Sequence, residues 1–88
     1  MALKGMDVDQ VRQLAQALHQ ASSSLNTMIS TLSQQVQHAN WIGPDRDRFV
    51  ADWNSHNATA LKNVATALQD ASTRANLDAQ QQDDASNA

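Results

Sequence analysis

The residues of this 88-residue sequence best suited to chemistry are His19, His38 and His56, with the carboxylate pairs Asp45-x-Asp47 and Asp83-Asp84. A helical metal site needs two ligands three or four positions apart, and successive histidines here stand 19 and 18 residues apart. Folding the chain back at Ile42 would place residues opposite each other where positions sum to about 84, by the geometry of an antiparallel helix pair. His19 then faces the neighbourhood of Ala65, His56 that of Met28, and His38 the start of the second arm. No pair of histidines converges. Neither carboxylate pair has a nucleophile or base beside it, and neither a Gly-rich phosphate loop nor a nucleophile elbow occurs. The expectation is a protein that is not an enzyme and uses no cofactor or metal.

Composition narrows the partners. The formal charge of −3 argues against nucleic acid, where Lys and Arg supply much of the affinity. The six basic residues are scattered, and no apolar run approaches the roughly 18 residues of a spanning helix, so membrane insertion is not expected. Met1–Asp7 contains no apolar core of a signal peptide. There is no cysteine, which leaves oligomerisation as the usual support for so small a chain.

Two glycines and one proline among many Ala, Leu and Gln residues favour long helix. Val11, Leu18, Leu25, Leu32 and Ala39 recur every seven residues. Leu14, Ala21 and Met28 run beside them, as do Ala15, Ile29 and Val36. The stripe is interrupted at Ser22 and Gln35, which mark either its edge or a register-setting seam. Asp7 or Asp9 suits the helix start. After Trp41-Ile42-Gly43-Pro44, a second stripe reads Phe49, Val50, Trp53, Leu61, Val64 and Leu68, interrupted at Asn57. Glycine closes a helix and proline opens the next.

The expected fold is all-α, an antiparallel helical hairpin that dimerises into a four-helix bundle. Helix one covers about 7–40, the bend 41–44 and helix two about 45–78, making a hairpin domain over 1–78. Residues 79–88 are expected as a flexible polar tail. Two helices cannot cover both edges of each other's stripe, so a second hairpin is the natural complement. Trp41 at the bend reads either as a plug closing the bundle, against Phe49 or a partner chain, or as a recognition knob, since aromatics dominate binding hot spots.

The bend Trp41-Ile42-Gly43, central between two matched amphipathic arms, resembles that of the Trp-X-Gly family of small secreted proteins, over about Asp7–Ala75. The spacing of Phe49 and Trp53 after the bend also fits. The resemblance implies a substrate or export partner of a type VII (ESX) secretion system of Gram-positive bacteria, including actinobacteria. Such proteins are exported as folded dimers without a cleavable signal peptide, from the cytoplasm to the exterior or cell surface. The implied partners are a second copy (homodimer) or a related hairpin (heterodimer), and the secretion ATPase. Trp41 and Gly43 would form one half of a composite export signal. The other half in the family is a tail motif, Tyr-x-x-x-Asp or -Glu. This sequence has no tyrosine and offers only Asp83 and Asp84 in that region. The alternative is a non-secreted cytosolic adaptor that binds another protein through its apolar stripe.

Overall fold

The computed structural model describes residues 5–87, and residues 1–4 of the expected hairpin domain and residue 88 of the expected tail lie outside them. The chain forms a helical hairpin: α1 (Val8–His38), α2 (Pro44–Asp52), a π-helical turn (Trp53–Asn57) and α3 (Ala58–Asn87). The last three run on as one arm, so that the hairpin measures 68 × 16 × 15 Å.

Asp7 opens α1 with an extended backbone, and its Oδ1 accepts the Gln10 N–H at 3.1 Å. That satisfies one of the orphan amides of the first turn, worth about 1 kcal/mol. Helix one ends at His38, two residues short of the expected limit, where Ala39 turns extended. Gly43 has φ +131° and ψ 178°, a region open essentially to glycine alone. Pro44 then occupies the first turn of α2 with Asp45 and Asp47.

The packing seam differs from the stripe of large side chains. Its buried centre is Ala15, Ser22 and Ile29 on α1, against Ala58, Ala65, Ser72 and Ala79 on α3. Both rows advance by seven, the repeat of a coiled coil. Ser22 Oγ donates to the Ala65 carbonyl at 2.7 Å, and Ser72 Oγ donates to the Ala15 carbonyl at 2.6 Å. Both bonds join residues whose positions sum to 87, about one helical turn beyond the expected register of 84. A hydroxyl reaches the opposite backbone only where two helices approach closely, which small residues permit and leucines would not.

The π-helical turn has a clear cause. One line of inward residues runs 46, 50, 53, then 58, 61, 65, 68, 72, 75, 79 and 82, with the half-buried 69, 78 and 83 beside it. Every step is three or four except the one from Trp53 to Ala58, which is five. One extra residue therefore separates the two halves of this arm, and a single wider turn absorbs it. Without that turn, Val50 and Trp53 would rotate by about 100° away from the line of Ala58 and Leu61. The interruption noted at Asn57 is this extra residue.

The chain expected to be flexible from 79 onward is instead helical to Asn87. Ala79 extends the buried heptad row and is fully enclosed. Arg12 then holds the next turn through Asp83 at 3.2 Å and Gln80 Oε1 at 3.3 Å. Reading residues 79–88 as lacking an apolar face overlooked alanine, whose burial at close helix approach is sufficient to continue the packing.

Candidate protein-interaction surface

The bend is built by a short set of backbone turns. Ala39 N–H donates to Gln35 O at 2.9 Å, Trp41 N–H to Ala39 O at 2.8 Å, and Asp47 N–H to Gly43 O at 3.1 Å. Arg46 reaches back to donate to the Gln37 carbonyl at 3.1 Å, placing a cation at the negative end of the α1 dipole. Its other terminal nitrogen lies 3.5 Å from Asp47 Oδ1. Trp41 lies against Phe49, with ring centroids 5.7 Å apart and planes tilted by 55°. That distance and tilt suit an aromatic pair. Even so, Trp41 is 45% exposed and Ile42 92% exposed. An open concavity of about 540 Å³, lined by residues from Ala39 to Pro44 with Arg46 and Asp47, accompanies this tip.

Trp53, by contrast, is half-buried along the arm, and its indole N–H donates to Ser33 Oγ at 2.8 Å. The large side chains of the expected stripe divide by position. Ile29 is buried. Val11, Leu18, Leu25, Val50, Leu61 and Leu68 are half-buried beside the seam, and Leu14, Met28, Leu32, Phe49 and Val64 are exposed. Asp83 is held by Arg12, and Asp84 accepts from Gln80 Nε2 at 2.9 Å.

The histidines do not gather. His19 Nδ1 lies 2.6 Å from Gln69 Oε1, within hydrogen-bond distance across the two arms. His38 and His56 are exposed. Among the described residues no group of three or more His, Asp or Glu side chains is placed to hold a metal. None of the described helices is long and apolar enough to cross a membrane.

The seam also shows a repeat that heptad counting by apolar residues missed. Ala15-x-Ala17-Leu18-x-x-Ala21-Ser22 recurs as Ala65-x-Ala67-Leu68-x-x-Ala71-Ser72, fifty residues later. The match extends outward through Val11 and Leu61, Arg12 and Lys62, and Leu14 and Val64. The two serine bonds exchange under this relation, so the hairpin has an internal pseudo-twofold axis. Comparing the two arms residue by residue would have revealed it; the signal lies in alanine and serine, which a search for bulky residues passes over.

No protein-family model, curated protein or solved structure matches the chain. The surface therefore has to be read from its own chemistry: an exposed aromatic tip and an exposed apolar edge on a narrow helical hairpin.

Proposed function

We propose that this chain is a small helical-hairpin substrate or export partner of a type VII (ESX) secretion system, working as a dimer. The observation that supports the reading most directly is the tip. Trp41 leans on Phe49 yet keeps nearly half its surface in water, and Gly43 holds a backbone conformation that sets the turn. A large aromatic held in place and left exposed suits recognition better than core filling. In this reading Trp41 and Gly43 form the bend half of a composite signal, and the arm bearing Asp83 and Asp84 supplies the other. The secretion ATPase is the receptor, and the protein acts outside the cell or at its surface.

The sequence has no tyrosine in its tail, and Asp83 is tied to Arg12 of its own chain. Those two observations favour the second reading, a cytosolic adaptor that binds through its exposed apolar edge.

Export from a host with and without the secretion ATPase separates the two. The first reading expects the protein in the medium or cell wall only when the ATPase is present. Trp41→Ala should cut export at least tenfold while circular dichroism stays helical. Equal distribution in both hosts, with the protein retained in the cytosol, sinks the export reading.

A further inference from the structure

The two arms of the hairpin end out of step. At the observed register Val8, the first residue of α1, stands opposite Ala79. Residues 80–87 of α3 therefore run on past it by about two turns, or roughly 12 Å. None of them is buried, and Ala79 is the last fully enclosed side chain of the seam. Asp83 and Asp84 also lie toward the negative end of the α3 dipole, where the last turn holds no cation. Two turns of helix do not persist in water on their own propensity. A hold other than the seam is needed.

Among the described residues, that hold is a network centred on Arg12. Its Nη2 donates to Asp83 Oδ2 at 3.2 Å and to Gln80 Oε1 at 3.3 Å, and Gln80 Nε2 donates to Asp84 Oδ1 at 2.9 Å. One guanidinium thus engages both tail carboxylates, the first directly and the second through an amide. The fifty-residue repeat marks this network as an addition to the seam. It matches Arg12 with Lys62, and it puts Ser33 and Ser30 where Asp83 and Gln80 stand. Ser33 accepts the Trp53 indole N–H instead, at 2.8 Å. The seam keeps its symmetry without an ion pair at Lys62, whereas the open end adds an acid and an amide. The Arg12 and Asp83 side chains are 40 and 41% exposed. A pair that exposed is screened by salt and shifts an equilibrium by no more than about fivefold. That is enough to bias the last two turns and too little to lock them.

We infer that Arg12 is a latch that sets whether residues 80–87 form a docked helix or a free chain, and that the closed latch withholds Asp83 and Asp84 from a cationic partner. The withholding rests on the export reading above, which gives those carboxylates a receptor; the latch itself does not. Amide hydrogen exchange of the full chain, followed by NMR, tests it. Arg12→Gln should raise exchange at residues 83–87 by about two- to fivefold and leave the amides around Ser22 and Ser72 unchanged. Raising salt from about 0.05 to 1 M should do the same to the parent and nothing to Arg12→Gln. Lys62→Gln, at the matching cation of the repeat, should leave the tail as it is. Arg12→Asp combined with Asp83→Arg should protect the tail more than the two single changes predict together. Unchanged exchange at 83–87 in Arg12→Gln overturns the latch. So does an equal rise along the whole seam, which would make Arg12 an ordinary support of the hairpin. In a host carrying the secretion ATPase, Arg12→Gln should be exported at least twice as fast as the parent. An unchanged export rate with a loosened tail overturns the withholding alone. A parent chain that is never exported overturns the secretion reading and leaves the latch standing.

Discussion

Replacing Ser22 with leucine separates the two ways of reading α1. Judged as a heptad stripe, Ser22 is a polar flaw among Ala15, Ile29 and Val36, and Ser22→Leu should stabilise the hairpin by up to about 2 kcal/mol of apolar burial. The packing demands the opposite sign. Ser22 is 4% exposed and its hydroxyl touches the backbone of α3 at 2.7 Å, so no space exists for the added carbon atoms. Overpacking a close seam costs about 1–3 kcal/mol, and losing the serine bond costs about 1 kcal/mol more. The Ala65 carbonyl still accepts within its helix, so no orphaned acceptor adds to the loss. Leucine transfer offsets part of this only if the arms part, which would loosen the neighbouring Ser72–Ala15 bond as well. The net expectation is a loss of about 1–3 kcal/mol, a fall in Tm of roughly 5–15 °C for a domain of this size. The assay is thermal unfolding followed by circular dichroism at one fixed protein concentration, because association would shift Tm by mass action. Ser22→Ala, which removes the bond without adding bulk, should fall by about 1 kcal/mol. A Tm for Ser22→Leu above that of the parent refutes the small-residue seam.

Two further outcomes test the arm and the bend. Deleting Asn57 restores an unbroken three-and-four spacing from Trp53 onward, so the π-helical turn should become ordinary helix with Tm unchanged or higher. Deleting Asn63, inside α3, should lower it by 10 °C or more; similar losses from both deletions would refute the extra-residue account. Gly43→Ala meets no atom within 4 Å, so its cost is backbone strain alone at φ +131°. A loss of about 1–3 kcal/mol in urea unfolding is expected, and a neutral result would show that the bend relaxes to another conformation.

The hairpin itself was legible because its signals are local. Asp7 before an apolar repeat, Gly43-Pro44 between two stripes, and seven-residue spacing all act within a turn or two of chain. The choice of seam was not legible in the same way. Large apolar residues advertise burial by area, yet here Leu14, Met28 and Val64 border the contact while Ala15, Ala65 and two serines fill it. Close approach of two backbones rewards the smallest side chains, and that reward depends on the opposite helix. The register offset of about one turn has a separate origin: counting from Ile42 ignored both the extended backbone after His38 and the extra residue near Asn57. At the tip, sequence singled out Trp41 and Gly43 and offered Phe49 as one packing partner for Trp41, and the two rings do meet, with centroids 5.7 Å apart.

The hairpin closes at the bend and opens at the other end, where Val8 and Asn87 both leave. A pull applied to the C-terminal arm therefore loads the seam one layer at a time. The Arg12–Asp83 pair parts first, then the contact at Ala79, then the Ser72–Ala15 bond, with the remaining layers still intact at each stage. Pulled instead along the arms from opposite ends, both serine bonds and every heptad would resist together. A pull on the C-terminal arm against a held N-terminus thus loads the molecule in its weakest mechanical direction, and the bend, with Trp41 and Phe49, is the last part to come undone.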